Sequence, residues 1–173
     1  NGALQGTGAV GDANTFGGQI TLNGGSNSIN VVQWIGTSGQ TVLNLNGPIV
    51  GSGGVQFSAS NTVIQLAGNN TYSGNTVVAN GTLTLAYGSA LTGTPNIIVS
   101  SNATLDVSAL APWTLGASQT LGGAGAVNGS ILANGTIAPG LPIGTLTVNG
   151  DLTLAGNVTV NVDKSLVQPN DVI

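Results

Sequence analysis

Hydrophobic and polar residues alternate along most of this chain. Thr82–Leu85 and Asn157–Val162 are examples, in which Leu or Val occupies every second position and Thr or Asn stands between. A period of two residues is typical of a β-strand with one buried face. No stretch of ten residues keeps an apolar stripe at the helical period. The pattern therefore predicts an all-β protein with essentially no α-helix.

Short connections rich in Gly, Asn and Ser separate the predicted strands, and two motifs recur after them. The motif G-x-G-[AG]-V begins at residues 6, 51 and 123. The motif G-x-[LIV]-T-[LV] begins at residues 18, 81, 144, 150 and 156, and its first three starts are each 63 residues apart. Because 63 residues make three units of 21, a unit with three short strands matches one turn of a parallel β-helix.

Stacked turns of this kind would bury apolar side chains in one continuous column and turn Thr, Asn and Ser outward. The length of 173 residues predicts about eight turns, stacked about 4.8 Å apart. The competing interpretation is an antiparallel meander, because alternating strands flank Asn149-Gly150, a strong hairpin signal. A meander does not explain the 63-residue spacing, so we favour the β-helix.

We expect one β-helix segment over residues 1–173. The chain begins at Asn1 without a methionine or a basic-then-apolar leader. We therefore expect it to be part of a longer β-helical chain.

Charged residues are rare, and their scarcity excludes several functions. Five aspartates face one cation, Lys164, and the chain has no histidine or cysteine. One lysine cannot form the basic cluster that nucleic-acid binding requires. Zinc and iron–sulfur sites need His or Cys ligands, and His-based triads and thiol nucleophiles need the same residues. We expect no cofactor, no nucleic-acid partner and, without a run of about 18 apolar residues, no membrane insertion by this segment.

The aspartates are the remaining candidates for catalysis, since some parallel β-helices cleave polysaccharides. Glycoside hydrolysis needs two carboxylates within about 10 Å, but Asp106, Asp151 and Asp163 lie on different predicted turns. No Arg or His supports them, so we expect solvated or turn aspartates and no enzyme. Asp12 lies in a stretch that resembles a calcium-binding nonapeptide. One aspartate cannot supply a stacked array of oxygen ligands, so we expect a turn there and no metal.

Two tryptophans are candidate ligand contacts, because aromatic faces stack on sugar rings. They are Trp34 and Trp113, of which Trp113 follows Pro112 in a longer connection. The longer connection favours an exposed Trp113.

Residues 66–85, LAGNNTYSGNTVVANGTLTL, resemble the autotransporter-associated β-strand repeat, also called the passenger-associated transport repeat. That repeat follows the pattern L-x-G-x-N-T-Y-x-G-x-T-x-V-x-x-G-T-L-x-L, and its best match here extends over residues 45–91. The positions that carry the resemblance include Gly68, Asn70, Thr71, Tyr72, Gly74, Thr76, Gly81, Thr82 and Leu83. The resemblance implies a right-handed parallel β-helix in which these residues are structural and none is catalytic.

The resemblance also implies a function and a location. The first hypothesis is a non-enzymatic scaffold or stalk of an extracellular bacterial surface protein, whose partners are flanking β-helix turns of the same or an identical chain. The second is a fibre subunit that stacks end to end into a homopolymer, since uncapped strand edges pair with other chains. The third is a carbohydrate-binding or carbohydrate-cleaving β-helix.

Overall fold

The computed structural model describes residues 3–8, 13–33, 42–140 and 144–161. The regular structure in these ranges consists of β-strands, without α-helix. The strands, in chain order, are β1 Ala3–Gly8, β2 Ala13–Phe16, β3 Ile20–Leu22, β4 Ser26–Gln33, β5 Val42–Leu45, β6 Ile49–Gly51, β7 Gly54–Leu66, β8 Asn69–Asn70, β9 Thr76–Leu85, β10 Ala90–Leu91, β11 Asn96–Val99, β12 Ala103–Asp106, β13 Trp113–Leu115, β14 Thr120–Gly123, β15 Ala126–Asn128, β16 Ile131–Ala133, β17 Thr136–Pro139, β18 Thr147–Asn149, β19 Leu152–Leu154 and β20 Asn157–Val158.

The strands stack on three faces of a coil. The first face runs β1-β4-β7-β9-β11-β14-β17-β20. The second face runs β2-β5-β7-β9-β12-β15-β18, because β7 and β9 each continue around the corner from the first face. The third face consists of three shorter ladders, β3-β6, β8-β10 and β13-β16-β19.

Strand pairing within the described residues is parallel, and it confirms the predicted parallel β-helix. The number of turns differs slightly from the eight expected. The described strands form seven sets that visit all three faces, and β20 begins another. The right-handed sense stays a prediction.

The meander interpretation is wrong, because Asn149-Gly150 forms a corner and no hairpin. β18 ends at Asn149 on the second face and β19 continues on the third face. The Asn149 Nδ2 donates to Asn128 Oδ1 at 2.8 Å, in the turn before. A Cβ on Gly150 would lie 2.5 Å from the Gly129 backbone, so close stacking requires glycine here.

Inward side chains stack in register from one turn to the next. Leu43, Ile64, Leu83, Leu105 and Val127 form one such column on the second face. All five are buried, and burial of each aliphatic side chain contributes about 1.5–3 kcal/mol. Each member packs on the residues of the neighbouring turns, so the core exists only when turns stack.

Outward-facing asparagines also stack from turn to turn, at surface positions where charged side chains are common in other proteins. Asn96 Nδ2 donates to Asn75 Oδ1 at 2.9 Å, one turn away. Like charges at this spacing would repel, whereas neighbouring amides satisfy each other. The rarity of charged residues therefore suits a stacked coil.

Candidate functional site: a groove on the third face

The repeat-motif residues lie directly before β8, on β8, on β9 and at the corner between the two strands. Asn70, the last residue of β8, is buried and uses its amide for three hydrogen bonds. Its Oδ1 accepts from the Ile49 N–H at 3.0 Å, and its Nδ2 donates to the carbonyls of Gly68 at 2.8 Å and Ala90 at 3.2 Å. Residues 49, 70 and 90 belong to three successive turns, so one side chain joins all three.

A series of side-chain hydrogen bonds occupies the corner between β8 and β9. Tyr72 Oη lies 2.5 Å from Thr76 Oγ1, and Thr76 Oγ1 donates to Thr94 Oγ1 at 3.1 Å. Thr94 Oγ1 in turn donates to the Asn96 carbonyl at 3.2 Å. Since the single Thr76 proton goes to Thr94, the Tyr72 hydroxyl is the donor in the first bond. Burial raises the pKa of Tyr72 above its ordinary value.

The motif glycines allow backbones of adjacent turns to touch. A Cβ at Gly74 would overlap the Gly54 nitrogen, and a Cβ at Gly81, whose φ is 71°, would overlap the Ala59 carbonyl oxygen. Gly68 is approached in the same way, since an added Cβ would lie 2.6 Å from the Gly47 carbonyl oxygen. Gly68 is buried, Thr71 is exposed, Thr82 is half-buried and Leu83 belongs to the core column.

The third face is interrupted between β10 and β13. The connection from β12 to β13 has six residues, 107–112, whereas the connection from β9 to β10 has four, 86–89. In the described part of the chain no ladder joins β10 to β13. The longer connection therefore leaves a groove at this point of the third face.

The groove has a volume of about 460 Å³. Its lining residues fall into two groups, one in and next to β10 and the other in and next to β13. Its lining residues are Ser89, Ala90, Leu91, Thr92, Leu110, Pro112, Trp113, Thr114, Gly116, Ser118 and Gln119. None of them is charged, so the groove presents hydroxyls and apolar surface.

Gln119 lines the groove, and both hydrogens of its side-chain amide are already used in bonds within the protein. Its Nε2 donates to the carbonyls of Leu91 at 2.7 Å and Thr94 at 2.8 Å, and its Oε1 accepts from the Gly116 N–H at 2.8 Å. The side chain is buried. Sequence reasoning missed Gln119, because a single glutamine before a strand looks like any outward polar residue.

The expectation of an exposed Trp113 is wrong. Trp113 is the first residue of β13, only 5% exposed, and pairs with Ile131 of the next turn. Its backbone N–H donates to the Ser130 carbonyl at 2.9 Å, which places the tryptophan in a ladder and not in a loop. The side chain nevertheless borders the groove. Trp34, the other candidate contact, lies outside the described residues.

Asp106 and Asp151 lie apart on the coil. Asp106 aligns with Asn128 and Asn149 on the second face, and its Oδ1 accepts from the N–H and the hydroxyl of Ser108 at 3.0 and 2.7 Å. Asp151 is exposed at the next corner, two turns further, where its N–H donates to Ser130 Oγ at 3.3 Å. The two carboxylates therefore occupy different columns.

Asp12, Asp163 and Lys164 lie outside the described residues. Within the described ranges no three residues of the metal-ligating types gather. No α-helix capable of crossing a lipid bilayer occurs in the part of the chain that the structure describes.

Comparisons with protein-family models, with curated proteins and with solved structures return no match for this chain. The class rests on the fold itself, which is that of a parallel β-solenoid.

Proposed function

We propose that this chain is a non-enzymatic scaffold, a rigid stalk segment of an extracellular bacterial surface protein with an autotransporter-like repeat. The observation that carries the proposal is the Asn70 amide, whose three hydrogen bonds join three successive turns. The motif side chains Tyr72 and Thr76 likewise bond to the protein itself. A motif whose polar groups are used internally supports a structural role more than a catalytic one.

Export through a bacterial envelope provides the test. The chain is placed between a distal epitope and the membrane-anchored translocator of a surface-display carrier in a Gram-negative-type host. We expect the epitope to reach the cell surface and the segment to resist external protease. Asn70→Ala should reduce both, whereas Asn69→Ala, which changes the exposed neighbour, should leave both intact. Equal display of a scrambled segment of the same composition would count against the proposal.

A second candidate, a subunit that stacks end to end, is favoured by the last described turn. Leu152, Leu154 and Val158 are exposed by 38%, 50% and 39%, on strands whose pairing among the described residues is with a neighbour on one side. A further turn, from the same chain or an identical one, would cover these side chains and satisfy the strand edge. Electron microscopy of the purified chain tests this candidate. Fibres of uniform width that disappear in Leu154→Lys would support it, and monomers at high concentration would contradict it.

A further inference from the structure

At the corner where β9 passes from the first face to the second, an asparagine side chain lies against the backbone nitrogen that follows it. The Gly81 N–H donates to Asn80 Oδ1 at 2.8 Å. The other end of the same amide is also held, because Asn80 Nδ2 donates to Ser60 Oγ of the turn before at 3.0 Å, in an exposed contact. The Asn80 side chain is therefore folded back onto its own main chain in a fixed orientation that solvent can reach.

The strand opposite this corner is irregular. Asn80 pairs with Ser58 and Thr82 pairs with Val63, and the register shifts between those two pairs. Gly81 has no counterpart in the pairing of β7 with β9. Bulges of this kind redirect the groups that they leave out of the ladder. The irregularity thus leaves the Gly81 N–H to the side chain of Asn80.

The same dipeptide has a different arrangement at Asn128-Gly129. The Gly129 N–H donates to the Asn149 carbonyl of the next turn at 3.1 Å, and Asn128 Oδ1 accepts from Asn149 Nδ2 at 2.8 Å. Both the backbone nitrogen and the side-chain carbonyl are engaged with another turn. The two corners therefore differ in geometry although their dipeptides are identical.

We propose that Asn80 is a site of spontaneous covalent modification, in which the Gly81 nitrogen attacks the Asn80 side-chain carbonyl and closes a succinimide ring. A hydroxide ion removes the Gly81 amide proton, the bond from nitrogen to Cγ forms, and the carbonyl electron pair moves to Oδ1. The pair then returns, the bond from Cγ to Nδ2 breaks, and Nδ2 takes a proton from water and leaves as ammonia. Holding the two reacting groups together before the reaction is what accelerates an intramolecular attack.

Water completes the modification by opening the ring at either carbonyl. Opening at Cγ leaves an aspartate at position 80, and opening at the main-chain carbonyl leaves an isoaspartate, whose backbone is longer by one methylene. The exchange consumes water and releases ammonia, and no atom is oxidised or reduced. Gly81 touches the Ala59 carbonyl so closely that an added Cβ would overlap it. A lengthened backbone at position 80 therefore loosens the contact between these two turns.

Two other routes to the loss of the amide serve as outcomes of the test. Direct hydrolysis of the Asn80 amide by water would give aspartate without isoaspartate. A general lability of Asn-Gly pairs, independent of the fold, would modify Asn80 and Asn128 at similar rates.

The test is incubation of the folded whole chain at neutral and mildly alkaline pH, followed by pepsin digestion and mass spectrometry with electron-transfer fragmentation, which distinguishes isoaspartate from aspartate. We expect Asn80 to be modified at least about tenfold faster than Asn128. Isoaspartate should be among the products, and the rate should rise with pH because the nitrogen must lose its proton. In guanidinium, where the chain is unfolded, the two sites should react at similar rates. Similar rates in the folded chain, or aspartate alone at position 80, would overturn the proposal.

Variants test the positioning of the amide. Ser60→Ala releases Asn80 Nδ2 and should slow the modification of Asn80 several-fold, while Asn128 in the same molecule serves as the internal control and keeps its rate. Asn80→Gln moves the side-chain carbonyl one methylene away from the Gly81 nitrogen and should abolish modification at this position. An unchanged rate at Asn80 in Ser60→Ala would overturn the geometry on which the proposal rests. These measurements do not depend on surface display, so the scaffold proposal and the modification site can fail separately.

Discussion

Tyr72 Oη and Thr76 Oγ1 lie 2.5 Å apart inside the corner between the third and first faces. The donor direction runs from Tyr72 through Thr76 and Thr94 to the Asn96 carbonyl. The Thr76 and Thr94 hydroxyls each accept one bond and donate the next, so neighbouring bonds strengthen one another. The position of a removed hydroxyl within the chain decides how much stability is lost.

Thr76→Val should destabilise the protein more than Tyr72→Phe. Tyr72→Phe removes the first donor and should cost about 1 kcal/mol. Thr76→Val leaves the buried Tyr72 hydroxyl without an acceptor and breaks two bonds, so it should cost about 2–3 kcal/mol. Urea unfolding followed by circular dichroism measures both. A larger loss of stability in Tyr72→Phe than in Thr76→Val would show that the Tyr72–Thr76 and Thr76–Thr94 bonds are not connected in series.

Stability should fall at alkaline pH because of Tyr72. The pKa of Tyr72 is raised in the folded protein by burial, whereas an unfolded tyrosine ionises near pH 10. Above about pH 10 the unfolded tyrosine loses its proton while the folded Tyr72 keeps it. The contribution of Tyr72 to the free energy of unfolding is thus fully present below about pH 10, and it decreases above that pH by up to about 1.4 kcal/mol per pH unit. Urea unfolding between pH 8 and 11.5 should reveal the loss.

The matched pair for the pH experiment is Tyr72→Phe and Tyr87→Phe. Tyr87 is 90% exposed. Tyr72→Phe should remove most of the alkaline slope, and Tyr87→Phe should keep it. The same slope in the parent and in Tyr72→Phe would assign the effect to other groups.

Asn70→Ala should cost about 3 kcal/mol, because it orphans the Ile49 N–H and the carbonyls of Gly68 and Ala90. Asn69→Ala, at the exposed neighbour, should stay within about 0.5 kcal/mol of the parent. Chemical denaturation compares the two variants. Similar losses in both would mean that the amide bonds of Asn70 contribute little.

Two glycines with positive φ separate backbone strain from steric overlap. Gly88 has a φ of 83° with nothing near an added Cβ, so Gly88→Ala should cost only about 1–2 kcal/mol. Gly81 has a φ of 71°, and its added Cβ would overlap the Ala59 carbonyl. Gly81→Ala should therefore cost at least about 3 kcal/mol or prevent folding. Thermal unfolding of the two variants measures the difference. Equal melting temperatures for Gly81→Ala and Gly88→Ala would refute the close approach of Gly81 to Ala59.

The stacked coil could be predicted from sequence because its evidence is periodic. The alternation at Thr82–Leu85 indicates which side chains point inward, and the unit of 21 residues is close to the step from Leu83 to its stacked partner Leu105. The motif copies themselves fall on different faces, since Ile20 lies on β3 and Leu83 on β9. The Asn149-Gly150 dipeptide wrongly suggested a hairpin, because hairpin preferences depend only on neighbouring residues. The conformation at this corner is fixed instead by hydrogen bonds between Asn149 and residues 128 and 129 of the previous turn.

The groove could not be predicted for the same reason. Its existence depends on two connections of different length lying next to each other, and its lining includes Gln119, whose amide reaches residues 91 and 94. Trp113 follows a proline in an irregular connection, which locally favours exposure. Its pairing with Ile131 is long-range information that a single sequence does not display.

The gap in the third face gives the coil a mechanical asymmetry. Between β6 and β8 the third face also lacks a ladder, but backbone bonds from Thr71 to Ile49 and from Ser73 to Gly51, both 2.9 Å, hold the turns together. Between β10 and β13 the Gln119 side chain bridges the gap through its bonds to Leu91 and Thr94. A bending force perpendicular to the coil axis would therefore separate the turns first at the groove between β10 and β13. The continuous first and second faces would act as the hinge.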